Sequence, residues 1–181
     1  MTEQTNQTRT ITLVKNVDGK ILINYSTNPG ALDKKNEISM KCQEEAHPSF
    51  YSALEVLDCE VVNICGFPED YTQRITVKGV NYFWKDGIMS AMISAQLDLE
   101  AGGKITFNTP KKPEKFTKDD PDASDQLSDN CIKKLKELIN EAEAYIVGRR
   151  KVMQEDLFNQ KDNAEEESIE EAEMEPAGAE A

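Results

Sequence analysis

The sequence predicts an α+β fold: an antiparallel sheet of about six strands with two helices packed on one face. Three observations predict it. Apolar residues alternate with polar ones in six short segments, the period of a half-buried strand. Two other segments carry apolar residues at steps of three and four, the period of a helix with one buried face. The alternating segments are joined by tight turns such as Asp18-Gly19 and Asp86-Gly87, which favour antiparallel neighbours. The expected order is β-β-β-α-β-β-β-α.

The first strand spans 9–17, where Ile11 and Leu13 alternate with Thr10 and Thr12. After the Asp18-Gly19 turn a second strand, 20–26, places Ile21, Ile23 and Tyr25 on one face. Asn28-Pro29-Gly30 breaks the chain. A third strand, 37–43, alternates Ile38, Met40 and Cys42 with Ser39 and Lys41. His47-Pro48-Ser49 then opens a helix, with His47 as a capping or turn residue and Pro48 in the first turn, where its missing N–H costs nothing. Phe50, Leu54, Leu57, Val61, Ile64 and Cys65 form its apolar stripe, and Gly66 and Pro68 end it.

Strands resume at 73–84. Simple alternation places Ile75, Val77, Asn81 and Phe83 on one side and Lys78, Val80, Tyr82 and Trp84 on the other. The strand at 88–99 turns Met89, Ala91, Ile93, Ala95, Leu97 and Leu99 inward. Gly102-Gly103 leads into a short strand, 104–107, and residues 108–126 read as a loop rich in Pro, Lys and Asp. Ser128 is placed to cap the second helix, whose apolar face is Ile132, Leu135, Ile139, Ala142 and Ile146. Arg149, Arg150 and Lys151 follow, where positive charge complements a helix C-terminus.

Charge divides the chain. The total of −13 over 181 residues is mostly a property of the end: residues 154–181 hold 11 acidic and 1 basic residue, whereas residues 1–153 hold 23 acidic and 20 basic. After Phe158 there is no aromatic residue, and such a segment buries too little surface to offset its ordering entropy. The expected organisation is a flexible start at 1–7, a folded domain at 8–153, a short motif at 154–158 and a disordered acidic tail at 159–181.

Several function classes find no support. No stretch reaches the roughly 18 apolar residues that span a bilayer, and residues 1–8 carry no apolar leader. The four cysteines, Cys42, Cys59, Cys65 and Cys131, fit no zinc spacing and read as small buried hydrophobes of a reducing cytoplasm. There is one histidine, His47, no phosphate-binding glycine loop and no nucleophile elbow. The expectation is a cytoplasmic, non-enzymatic protein without cofactor or metal.

Three features point to binding. In Tyr82-Phe83-Trp84 an exposed aromatic face beside Lys78 would suit bases stacked on rings with lysines on phosphates, that is, single-stranded DNA; equally, these aromatics can pack against the helices. Lys111 and Lys112, in a loop that also holds Lys115, Phe116 and Lys118, suit phosphate contact, although Asp119, Asp120 and Asp122 follow at once. The expected nucleic-acid contacts are therefore Lys78, Tyr82, Trp84, Lys111 and Lys112. The most specific feature is Gln154-Glu155-Asp156-Leu157-Phe158. It resembles the Q-x-[SD]-L-F pentapeptide by which bacterial replication and repair proteins bind the sliding clamp. Gln154 offers a directional amide, Asp156 fits the third position, and Leu157 and Phe158 are apolar anchors for a groove. The alternative is that Leu157 and Phe158 fold back onto the domain.

Taken together, His47-Pro48-x-Phe50, Val77-x-Gly79-Val80, Asn108-Thr109-Pro110-Lys111 and a last helix running into Q-x-D-L-F resemble a family of small, largely uncharacterised proteins of bacterial phages and prophages. The resemblance spans about residues 8–158 and implies association with phage DNA replication or recombination genes. The acidic extension after Phe158 departs from the pattern. The rival reading, from another class, is a protein-interaction module that inhibits or redirects a host factor.

Overall fold

The computed structural model describes residues 9–27, 35–115 and 126–150. The segment at 154–158 and the acidic tail lie outside the described residues. The elements are β1 (Arg9–Val17), β2 (Lys20–Thr27), β3 (Asn36–Cys42), α1 (Pro48–Glu55), α2 (Asp58–Cys65), a 3₁₀ turn (Glu69–Arg74), β4 (Ile75–Lys85), β5 (Ile88–Asp98), β6 (Lys104–Asn108), β7 (Lys112–Pro113) and α3 (Asp129–Ile146). The fold is α+β, as the sequence predicts. The strands form one antiparallel sheet in the order β3-β2-β1-β4-β5-β6, and β7 pairs with β5.

The two Asp-Gly turns set the register. Asp18 and Gly19 both have positive φ, as do Asp86 and Gly87, which is the backbone of a two-residue hairpin whose twist matches its strands. Ile11, Ile21, Ile23, Val80, Tyr82, Met89 and Ile93 then share the covered face with Phe50, Leu57, Val61, Leu135, Leu138 and Tyr145 above them, all nearly solvent-free. The other face of the sheet carries no helix among the described residues.

The helix expected between His47 and Cys65 is two helices. The Leu57 N–H bonds to the Leu54 carbonyl (3.1 Å) and the Glu60 N–H to that of Leu57 (3.0 Å), so the chain tightens at Val56-Leu57 and changes direction. The bend buries Leu57 completely and lets the Asp58 carboxylate accept the Val77 N–H (2.9 Å) from the sheet below. His47 does cap α1, its Nδ1 accepting the Ser49 N–H at 3.3 Å, and Ser128 caps α3 by accepting the Cys131 N–H at 3.1 Å.

On α3 the buried stripe is Cys131, Leu135, Leu138, Ala142 and Tyr145. Ile132, Ile139 and Ile146 only flank it. The face is rotated because Tyr145 packs on Phe50, with ring centroids 5.9 Å apart, and so fixes which side of the helix points down. Beyond α3, Arg150 stacks over the Tyr145 ring (3.7 Å), pairs with Glu44 (2.7 Å) and donates to the Tyr145 carbonyl at the helix end. The last described residue is thereby fastened beside Ala46, with which it also makes a β-bridge.

Candidate nucleic-acid interface

Strand β4 does not keep simple alternation. Its register against β5 shifts between Val77 and Gly79, so Lys78 is the extra residue of a β-bulge. Ile75 and Val77 before the bulge face the helices, and so do Val80 and Tyr82 after it. Gly79 is required there: a Cβ would lie 2.4 Å from the Val14 carbonyl oxygen and 2.8 Å from Lys15 Cα. An isolated glycine inside a strand is the sequence signal for such a bulge, and it corrects the expected faces.

The expected nucleic-acid residues therefore do not form one surface. Tyr82 is 2 % exposed and its hydroxyl donates to the Leu135 carbonyl (3.1 Å), so it belongs to the core. Lys78 is half-buried and acts on the Asp58 carboxyl of α2. Lys112 pairs with Ala91, is half-buried on the helix side, and its charge is felt at Cys65 and Cys131. Trp84 is half-exposed, but its indole N–H donates to the Ile11 carbonyl (2.8 Å), which holds the ring against β1. Trp84 borders a groove on the helix-free face, and Lys111 reaches that face.

Phe83 is what it meets there. The ring is 39 % exposed and the Lys111 ammonium lies 4.9 Å from its centroid. Phe83 escaped notice because, without the bulge, it shares a face with core residues. Over residues 108–115 the segment carrying Lys111 departs from the expected loop. Thr109 is buried; its Oγ1 accepts the Ile93 N–H (3.0 Å) and its own N–H donates to the Ile93 carbonyl (2.8 Å). The threonine side chain replaces a ladder bond, the chain bulges at 109–111, and β7 then rejoins the same edge of β5 that β6 occupies. Ser94 Oγ also donates to Asn108 Oδ1 (2.6 Å) on that face.

Beside Phe83 the face is a shallow groove of about 650 Å³ running over β3, β2, β1 and β4. Hydroxyls of Thr10, Thr12, Ser26 and Ser39 line it, with the amides of Asn24 and Asn81 and the charges of Lys35 and Glu37. Asn24 Oδ1 has no hydrogen-bond partner. Lys15, packed over Gly79, and Lys85, two residues beyond Phe83, add positive charge to the same face. Such a surface offers a ring for stacking, neutral donors and acceptors, and ammonium groups at its rim. No protein-family model, curated protein or solved structure matches this chain.

Other polar clusters have a different character. Ser49 Oγ donates to Glu141 (2.6 Å) and sits 2.8 Å from His47 Nδ1, while Arg149 approaches that same nitrogen at 3.2 Å. The carboxylate faces the hydroxyl and not the imidazole, the reverse of a nucleophile activated by an oriented base. Among the described residues no group of three or more His, Cys, Asp or Glu side chains is placed to hold a metal ion, and no helix is long and apolar enough to cross a membrane.

Proposed function

We propose that this chain is a non-enzymatic accessory protein of DNA replication or recombination, of the phage type, that binds single-stranded DNA on its helix-free sheet face. In the same reading Gln154, Asp156, Leu157 and Phe158 tether it to a bacterial sliding clamp in the host cytoplasm. The observation that carries the DNA half is the exposed Phe83 ring with the Lys111 ammonium over it, beside a groove of hydroxyls and amides. A base stacks on Phe83 and displaces Lys111 to a neighbouring phosphate; each such stack contributes about 1–3 kcal/mol. Lys15 and Lys85 extend the phosphate track. The clamp half rests on the pentapeptide and on its place in the chain, four residues after the fastened Arg150.

The test is a comparison of single-stranded and duplex oligonucleotides with the full chain. Paired bases keep their faces stacked within the duplex, so single strands bind more tightly, and the affinity falls as salt rises. Equal affinity for both forms removes the stacking role of Phe83. Absence of DNA binding at low salt favours the rival reading, an interaction module that redirects a host factor.

A further inference from the structure

Away from the open face, α2 and α3 meet over a cluster that the DNA reading does not use. Glu60 is 2 % exposed, a carboxylate taken almost wholly out of water. Its Oε1 accepts from Lys134 Nζ at 2.6 Å and from Asn130 Nδ2 at 2.7 Å. The same Lys134 Nζ lies 3.1 Å from Cys59 Sγ. A thiol, an amine and a proton-accepting carboxylate thus sit in one hydrogen-bonded row, on two helices far apart in sequence. Cys59 is half-buried, and its thiol also lies 3.3 Å from the Val56 carbonyl and 4.0 Å from the same Glu60 Oε1.

We propose that Cys59 and Lys134 are the two halves of a peroxide-made covalent cross-link that joins α2 to α3. The sulfur of the Cys59 thiol attacks one oxygen of hydrogen peroxide, the O–O bond breaks, and the departing hydroxide takes the thiol proton; the products are a sulfenic acid and water, with sulfur losing two electrons and peroxide gaining them. Lys134 then passes one proton to Glu60 Oε1. The freed nitrogen lone pair forms an S–N bond as the S–O bond breaks, and the departing hydroxide leaves as water with the second nitrogen proton. Sulfenic acids condense with nitrogen in this way when one is held close. Glu60 keeps its proton, so loss of the lysine charge leaves no unpaired carboxylate in the interior. A thiol reductant returns the free thiol and amine.

The experiment treats the purified full-length protein with hydrogen peroxide and follows its intact mass, then maps the digest. The expected product has lost two hydrogens, yields a joined peptide pair holding Cys59 and Lys134, and reverts with dithiothreitol. Its melting temperature is raised, since two helices are now tied. In Lys134→Arg, which keeps the positive charge beside Glu60 but supplies no amine, Cys59 stops as a sulfenic acid that dimedone traps; Cys59→Ser gives no joined pair. A disulfide between Cys59 and Cys131, oxygen added at Cys59 of the wild type without linkage to Lys134, or an unreacted Cys59 overturns the proposal.

Discussion

The Tyr82 hydroxyl donates a 3.1 Å hydrogen bond to the main-chain carbonyl of Leu135, joining the central strand to the long helix through the core. Burial also pushes the Tyr82 phenol well above its usual pKa, so it stays a donor at any ordinary pH. Tyr82→Phe is expected to cost about 1 kcal/mol of stability, the net worth of one such bond, and to leave DNA affinity unchanged. Chemical denaturation and an oligonucleotide titration of the same variant check both halves. A variant of undiminished stability but weakened DNA binding would place the phenol on the surface.

Gly79 tests the bulge on which the face assignment rests. Gly79→Ala sets a methyl group against the Val14 carbonyl and the Lys15 backbone, neither of which is a flexible side-chain end. The expected loss is about 1–3 kcal/mol, the usual range for forced backbone shifts in a packed site. Urea unfolding reads it directly. A neutral substitution would mean that β1 and β4 do not approach so closely.

Asp58 gives the fold a pH signature. Burial raises its carboxyl to about 6, with Glu55 adding to the effect and the Val77 N–H and Lys78 opposing it. The unfolded value is about 3.9, so between these limits the folded state holds more protons than the unfolded state. The contribution of Asp58 is fully present below pH about 4 and is lost as pH rises through about 6. Asp58→Asn keeps an oxygen for the Val77 N–H but cannot ionise, and it is expected to remove this part of the slope. Melting curves taken across that window decide it; an identical slope in both proteins contradicts the assignment.

For the clamp, replacing both Leu157 and Phe158 by Ala is expected to abolish binding and leave the melting temperature nearly unchanged. A short segment with two anchors gives micromolar-scale affinity, roughly −8 kcal/mol, because ordering the peptide offsets part of the gain. Titration of a bacterial sliding clamp with the peptide 150–160 and with the full chain measures it. A stability loss of about 3 kcal/mol or more from the double change would mark the pair as core residues.

Much of the fold was legible because the hydrophobic period states it locally. Asp18-Gly19, Asp86-Gly87, the Ser128 cap and the inward residues Met89, Ala91, Ile93, Ala95 and Leu97 of β5 appear where the sequence places them, whereas Leu99, just past the end of the strand, is exposed. What was not legible depends on partners distant in sequence. The break at Val56-Leu57 follows from Asp58 reaching across to Val77, and the rotation of α3 follows from Tyr145 packing on Phe50. The site suffered most from one residue. Lys78 as an extra bulge residue reverses every face beyond it, sending Tyr82 inward and Phe83 outward. Lys111 and Lys112 are neighbours in sequence but lie on opposite sides of the sheet, because β7 pairs with β5 as a strand.

The most direct measurement is fluorescence anisotropy of a labelled single-stranded oligonucleotide titrated with the wild-type chain and with Phe83→Ala. Phe83 is half-exposed and contributes little to the core, so the variant is expected to fold with an unchanged melting temperature. The expected affinity loss is about 1–3 kcal/mol, roughly tenfold or more, with the salt dependence retained because Lys15, Lys85 and Lys111 remain. Equal binding by the two proteins, or no binding by either at low salt, would contradict the helix-free face as a single-strand interface.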